Sequence, residues 1–181
     1  MPPPLVTIRP AVAADYDALC GLWLELDEHH RHQRPDLFRR PKGPRRDRDW
    51  AIEQIEGPDS VILVAQASGE RLAGMASLKI ETPEKLPVRI VRRHVQLHNL
   101  VVGSAFRRRG VGGELVQAAA EWTAAQGLGE LELTVLEFNA TARKFYAAAG
   151  FRTIRRQLSL QVEPIPERPG AHAVGAGQHP C

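Results

Sequence analysis

The residues best suited to chemistry lie in one segment in the second half of the chain. Residues 97–122 read LHNLVVGSAFRRRGVGGELVQAAAEW, so a β-rich run leads through Arg107 and Gly110-x-Gly112-Gly113 into an amphipathic helix pattern. The first amides of a helix lack intrahelical acceptors and carry partial positive charge. Glycines let an anion approach this backbone closely, and three consecutive arginines add positive field. The segment therefore predicts a binding site for a pyrophosphate.

Glycine-rich turns also occur in phosphate sites of two other kinds, and this segment fits neither of them. A kinase-like P-loop needs a Gly-Lys-Ser/Thr sequence to close the turn, which is missing here. A Rossmann site needs Gly-x-Gly-x-x-Gly after the first strand and an acidic residue about 20 positions later. A tight connection between a strand and a helix would account for the glycines alone, but the flanking arginines favour anion binding.

The hydrophobic patterns predict an α/β (α+β) fold that positions this segment. Runs at 60–67 and 71–80 flank a turn with a glycine and predict a hairpin, whereas the elements at 92–102, 111–125 and 131–136 predict a β-α-β unit. We therefore expect a mixed, largely antiparallel sheet of about six or seven strands, with helices on both faces. The other predicted elements are strands at 5–12 and 151–162, helices from Tyr16, over 48–56 and over 139–148, and a loop or broken helix from His29 to Arg48.

Composition limits the class of protein. The chain has 181 residues, of which 43% are hydrophobic and 25% charged, as expected for a soluble globular protein. We expect one domain over residues 1–162 and a disordered tail over 163–181, where bulky apolar residues are nearly missing. There is no apolar run near the ~20 residues of a membrane span and no signal-peptide pattern. Cys20 and Cys181 show no zinc spacing, so a cytoplasmic protein is the simplest expectation.

Two motifs together resemble the signatures of the GNAT superfamily of N-acetyltransferases. The first signature, Arg/Gln-x-x-Gly-x-Gly/Ala after the fourth strand, matches Arg107, Gly110 and Gly112. The second, an Asn that opens the next helix followed by Phe-Tyr and Gly-Phe, matches NATARKFYAAAGF at 139–151. The predicted order of elements is similar over roughly residues 5–161.

The resemblance implies that acetyl-CoA binds, as cosubstrate, in a V-shaped gap between the fourth and fifth strands. Backbone groups of the fourth strand would pair with the pantetheine arm as an added strand would. The loop amides would cradle the pyrophosphate, and Asn139 would flank the thiol end. The cofactor-binding candidates are Leu100, Val101, Val102, Arg107, Arg108, Arg109, Gly110, Val111, Gly112, Gly113 and Asn139.

The chemistry then requires an acid and a base, because only a neutral amine attacks a thioester carbonyl. Tyr146 stands at the family's acid position; the alternative is a core aromatic residue. His98 is the candidate base, since its surroundings resemble the arylalkylamine branch of the superfamily, which has a histidine there. That branch has a second histidine where this chain has Gln96, so a relay of two histidines is not supported. Glu132 and Glu137 are weaker candidates for the base.

Two further clusters lie before residue 50. His29, His30 and His32 follow the first helix, but no acidic residue completes a metal site, so we expect no metal. The resemblance implies an acceptor site in this region, which favours a role for these histidines in lining it, with Phe38 and Trp23 as further candidates. Residues 31–50 carry eight Lys or Arg against three Asp. This stretch is either a solvated loop or a lid that attracts an acidic acceptor or the 3′-phosphate of CoA. Nucleic-acid binding is disfavoured, because few aromatic residues interleave with these arginines.

The sequence therefore predicts an enzyme that transfers an acetyl group from acetyl-CoA to a primary amine by direct attack in a ternary complex. Neither cysteine lies in the motifs, which argues against a covalent acetyl-enzyme. The alternatives are a protein or peptide N-acetyltransferase and a non-catalytic acyl-CoA-binding module. We expect a small-molecule or peptide amine as acceptor and a possible homodimer, with no nucleic-acid or membrane partner.

Overall fold

A computed structural model of the chain describes residues 6–40, 46–85, 87–88 and 90–162. The chain divides into two compact units, Met1–Phe151 and Arg152–Cys181. The predicted disordered tail, residues 163–181, lies outside the described residues, as do residues 41–45 of the arginine-rich stretch. Within the described part of the chain, no helix is both long and apolar enough to cross a bilayer.

The first unit contains a five-stranded sheet in the order β1-β2-β3-β4-β5. Neighbouring strands are antiparallel from β1 to β4, and β5 is parallel to β4. This confirms the mixed, largely antiparallel sheet. The strands are β1 Val6–Pro10, β2 Ser60–Ala67, β3 Leu72–Glu81, β4 His94–Val102 and β5 Leu131–Leu133; the helices are α1 Tyr16–Gln33, α2 Arg48–Glu56, α3 Val111–Ala125 and α4 Ala140–Ala148.

The two faces of the sheet bury different helices, because successive side chains of a strand point to opposite sides. On one face, strand residues such as Leu63 and Leu97 pack against Leu115 of α3. On the other face, strand residues such as Val64 pack against α1 and α2, with Trp23 of α1 fully buried. Helices therefore cover both faces, as predicted.

The first helix is longer than the sequence predicts. The prolines after His29 indicate a loop or broken helix from there to Arg48, but α1 continues to Gln33. The first of these prolines is Pro35, and a proline disfavours helical geometry only at the residue before it and beyond. Up to that point the helix is intact, and Glu28 and Arg31 form an ion pair one turn apart.

The sheet has fewer strands than the sequence predicts. β5 ends at Leu133 instead of residue 136, and the strand predicted over 151–162 does not form: the described residues of the second unit, 152–162, adopt neither helix nor strand. That prediction depends on apolar residues at alternate positions, yet Leu158 is 91% exposed and Leu160 85% exposed. Alternation predicts a strand only where one face is buried against a neighbour, and these side chains are not buried.

The packing of α3 on the sheet predicts the cost of truncating its central side chain. Because Leu115 is fully buried, Leu115→Ala should lower the free energy of unfolding by about 2–5 kcal/mol. Leu24→Ala, at a position 42% exposed on α1, should stay within about 0.5 kcal/mol of the wild type. Urea denaturation measures both, and equal losses would contradict this packing.

Candidate active site

β4 and β5 pair over three residues each and then separate. The parallel ladder ends where Leu97 faces Leu133, although β4 continues to Val102. At the same point the register of β4 against β3 shifts, so that His98 lies between the paired residues Leu97 and Asn99 as a β-bulge. Beyond Leu97, the edge of β4 that faces away from β3 therefore borders a gap.

The backbone directions along β4 show which groups face this gap. The Val101 carbonyl points to β3, since its oxygen lies 2.7 Å from where a Cβ on Gly74 would stand. The Gly103 N–H also points to β3, where it donates to a carbonyl at 2.9 Å. By alternation, the N–H and C=O groups of Leu100 and Val102 face the gap. Of the three strand residues singled out from the sequence, Leu100 and Val102 therefore direct their backbone toward it.

The turn from β4 into α3 is shaped by two left-handed residues. Gly110 has φ 86° and Arg108 has φ 59°, and Arg108 is the one non-glycine residue with positive φ in the described chain. For a side-chain-bearing residue this geometry costs roughly 1–2 kcal/mol. The Gly113 N–H closes the first turn by donating to the Gly110 carbonyl at 2.8 Å. The Val111 and Gly112 amides open the helix, where no preceding turn supplies acceptors.

The three arginines of the turn have different surroundings. Arg107 is engaged by the protein: its Nε donates to the Val102 carbonyl at 3.0 Å and its Nη2 to Glu25 Oε2 at 3.1 Å. Arg108 and Arg109 are exposed at the same turn. The sequence does not single out Glu25, because nothing local distinguishes it from the other acids of α1.

His98 has a carboxylate partner that the sequence does not reveal. Its Nε2 lies 3.5 Å from Glu81 Oε1 at the end of β3. The alternative bases have other partners: Glu132 lies 3.9 Å from His94, and Glu137 pairs with an arginine of α4 at 2.9 Å. The sequence does not single out Glu81, because the pairing of β3 with β4 and its register are not predictable from local patterns.

Tyr146 approaches from the α3 side of the sheet. Its ring packs edge-on against Phe145 and Phe151, with centroids 5.2 and 5.6 Å away, and against the same core as Leu100 and Val102. Burial raises the pKa of Tyr146 to about 12. The hydroxyl therefore keeps its proton at any ordinary working pH.

His98 lies on the opposite face from Tyr146. Ile80 of β3 packs with the α3 core, so alternation along β3 turns the next residue, Glu81, toward the side of α1 and α2. His98 contacts Glu81 and therefore lies on that side. The candidate acid and the candidate base therefore belong to opposite faces of the sheet, and both are supported by the strand that borders the gap.

Asn139 has a structural task at the start of α4. As predicted, its side chain caps this helix, with Oδ1 accepting from the Ala142 N–H at 3.0 Å. α4 also packs against the start of α3, because the Phe145 ring lies 3.4 Å from where a Cβ on Gly112 would stand. The second motif therefore places α4 directly beside the glycine turn.

An aromatic cluster joins the end of α1 to the turn before α4. His30 stacks on Phe38 at 5.1 Å and contacts Phe138 edge-on at 6.2 Å, with His29 5.9 Å away. Burial, followed by the neighbouring His29, lowers the pKa of His30. Trp23 is fully buried and packs tilted against a second tryptophan at 6.0 Å, so it is a core residue. In the described chain, no three His, Cys, Asp or Glu side chains are grouped as a metal site would require.

Three arginines in the described part of the arginine-rich stretch pair with acids of α1, whereas Arg34 pairs with Asp36 inside the stretch. Arg31 and Arg40 both contact Glu28, and Arg46 lies 3.5 Å from Asp27. These pairs place part of the stretch against α1, an arrangement that neither the solvated-loop nor the lid prediction includes.

Comparison with known proteins identifies relatives of this architecture. The family model for the Acetyltransferase (GNAT) family matches residues 23–151. A search of curated proteins gave no match. Among solved structures, a tetramutant of the BH1408 protein from Bacillus halodurans has 26% identity and a TM-score of 0.80, covering 86% of this chain and 99% of that one.

Two aminoglycoside acetyltransferases share the fold. AAC(6')-Iy in complex with CoA has 20% identity and a TM-score of 0.63, covering 87% of this chain and 99% of that one. AAC(6')-Ih from Acinetobacter baumannii has 16% identity and a TM-score of 0.64, covering 87% of this chain and 98% of that one.

The aromatic cluster predicts a pH dependence of stability. Because the folded-state pKa of His30 lies below the ordinary value of 6.5, the unfolded state binds more protons in that window, and the free energy of unfolding falls as the pH drops below about 6.5. His30→Phe should flatten this fall, whereas His32→Gln, at an exposed position of the same helix, should keep it. Urea denaturation between pH 5 and pH 8 measures the slopes; a His30→Phe slope equal to that of the wild type would refute the assignment.

Proposed function

The chain belongs to the acetyltransferase (GNAT) family, and on that premise we propose that it transfers an acetyl group from acetyl-CoA to a primary amine by direct attack in a ternary complex. The observation that carries this proposal is the gap beside β4, which is bordered by backbone groups that no neighbouring strand pairs and ends at the turn with left-handed Arg108 and Gly110. The gap suits an extended amide-bearing arm, and the turn suits an anion.

The backbone along the gap would hold the cosubstrate. Leu100 and Val102 would pair with the pantetheine amides in the manner of an added strand, while Val101 keeps β4 in its ladder with β3. The amides from Arg108 to Gly112 and the partial positive charge at the start of α3 would bind the diphosphate. The exposed Arg108 and Arg109 side chains would add positive field.

We assign the base to His98, with Glu81 as its orienting partner. With Nε2–H directed at Glu81, the Nδ1 of His98 is the acceptor nitrogen. The neutral amine attacks the thioester carbonyl, so that a C–N bond forms and the C–S bond breaks. The amine proton passes to His98, directly or through water, and the electron pair of the broken bond leaves on the thiolate.

Tyr146 would stabilise the leaving thiolate by donating a hydrogen bond. Its pKa is about 12, whereas a thiol ordinarily titrates near ~8.5. Complete proton transfer from Tyr146 to the thiolate would therefore be uphill by several pKa units. The hydroxyl acts instead as a neutral donor aimed at the developing negative charge, a role that does not require this buried tyrosine to ionise.

The acceptor is proposed to be a small amine of low charge. The structural neighbours named as aminoglycoside acetyltransferases suggest a small-molecule acceptor. Polycationic acceptors would need unpaired acids, but Asp27 and Glu28 on α1 are held by arginines. The aromatic surface of His30, Phe38 and Phe138, close to Asn139 in the chain, suits an apolar or aromatic amine instead.

Two glycines at opposite ends of α3 provide a matched test of diphosphate binding. Gly110 and Gly127 both have positive φ, at 86° and 70°, and a Cβ at either meets nothing within 4 Å. Gly110→Ala and Gly127→Ala should therefore cost similar stability, about 1–2 kcal/mol each. Only Gly110→Ala should weaken CoA binding, by about tenfold or more, because it alone distorts the amides at the anion site.

Calorimetric titration with CoA, paired with thermal denaturation, measures both effects. Equal CoA affinity in the two variants would rule out the glycine turn as the diphosphate site.

Substitutions of the catalytic candidates separate an enzyme from a binding module. His98→Gln and Tyr146→Phe should each lower kcat by about 10²–10⁴-fold while leaving CoA affinity close to that of the wild type. His94→Gln, at the other histidine of β4, is the control and should keep the wild-type rate.

Unchanged turnover in His98→Gln would eliminate this residue as the base. Tight CoA binding by the wild type without turnover of any amine would favour the non-catalytic acyl-CoA-binding module.

A further inference from the structure

We infer that Glu25 of α1 is a positioning residue that fixes the geometry of the diphosphate-binding turn and holds Arg107 away from the diphosphate. This inference rests on the proposed function, since it assigns a task to a residue outside both sequence motifs. It predicts that a helix on one face of the sheet controls cosubstrate binding at the end of β4.

Glu25 connects to the turn through one carboxylate oxygen. Its Oε2 accepts from the Ser104 N–H at 3.0 Å and from Arg107 Nη2 at 3.1 Å. The same guanidinium donates through Nε to the Val102 carbonyl at 3.0 Å. Ser104 and Arg107 are thereby bonded directly to a single side chain of α1, and the end of β4 is connected to that side chain through Arg107.

The close approach of α1 to the turn makes this connection short. A Cβ on Gly103 would stand 3.6 Å from Leu22 Cδ2 and 3.8 Å from Glu25 Oε1. Leu22 is almost completely buried, so the helix is anchored at this position by its apolar face. Glu25, three residues further along the helix, projects from the same face and reaches the backbone of the turn.

The connection also changes which arginines are available to an anion. When a carboxylate and a carbonyl of the protein accept hydrogen bonds from a guanidinium, the N–H groups that make those bonds point at the protein and not at a ligand. Arg107 is therefore neutralised locally, and the positive field left for the diphosphate comes from Arg108, Arg109 and the amides. The arginine of the motif then acts on the turn instead of on the ligand.

The solvent exposure of the Glu25–Arg107 pair determines whether loss of Glu25 changes global stability or only the geometry of the turn. The side chains of Glu25 and Arg107 are 37% and 53% exposed, and ion pairs at this level of exposure contribute little to global stability. Loss of Glu25 should therefore leave the melting temperature nearly unchanged. Loss of Glu25 should instead loosen the turn, because the Ser104 N–H and the Arg107 guanidinium lose their common acceptor, Glu25 Oε2.

The test compares CoA with pantetheine, which lacks the diphosphate, in calorimetric titrations of the full chain. In Glu25→Ala the Ser104 N–H and the Arg107 guanidinium lose a charged acceptor, and the resulting loss of turn geometry should outweigh the attraction of the freed Arg107 for the diphosphate. The Kd for CoA should therefore rise by about tenfold, and the Kd for pantetheine should stay unchanged. Glu25→Gln keeps an acceptor for the Ser104 N–H and should lie between wild type and Glu25→Ala. Glu130→Ala, which removes a carboxylate from an exposed pair with Arg92 at 3.2 Å, is the control and should bind CoA as the wild type does.

Wild-type affinity for CoA in Glu25→Ala would overturn the inference, because it would show that the turn does not need this residue. Equal weakening for CoA and pantetheine would also overturn it, since that result indicates general disturbance of the fold. If Glu25→Ala does not fold, Glu25→Gln decides, and wild-type CoA affinity in that variant would count against the role. A wild-type protein that binds no CoA would instead refute the proposed function itself, and this inference with it.

Discussion

The separation of β4 from β5 is the constraint on which the rest of the site depends. A strand inside a sheet satisfies its N–H and C=O groups on both sides, but β4 loses its neighbour after Leu97 while β3 continues to pair with it. The Val102 carbonyl accepts from Arg107, whereas the Leu100 groups and the Val102 N–H that face the gap require partners from solvent or from a ligand. The bulge at His98 lies where the ladder with β5 ends, so a histidine side chain stands at the start of the gap.

The elements around the gap hold its two ends. At one end, α3 begins with the glycine turn, and its packing through Leu115 fixes the position of the helix amides relative to β4. On one face, α4 brings Tyr146, which burial keeps protonated. On the other face, α1 brings Glu25 to the turn and carries the aromatic cluster around His30. In the proposed function the backbone would therefore position the ligand, and the side chains around it would act on that ligand.

Features that depend on local signals could be predicted from the sequence, whereas those that depend on distant contacts could not. The strand-turn-helix of residues 97–122, the cap at Asn139 and the parallel β-α-β unit follow from propensity, glycine placement and chain connectivity, and the structure contains all three. Glu25 and Glu81 could not be identified, because their partners Arg107 and His98 are set by helix packing and strand register. The strand expected over 151–162 fails for a related reason, since an alternating pattern does not specify a neighbour.

The most direct test of this mechanism is the initial rate of thiol release from acetyl-CoA by the purified full chain, measured with a panel of small primary amines. We expect amine-dependent release that matches N-acetylated product mole for mole, with double-reciprocal plots that intersect, as a ternary complex requires. Parallel plots would indicate a covalent acetyl-enzyme. Firm binding of CoA without amine-dependent release for any acceptor would contradict the claim that this gap brings a thioester and an amine together.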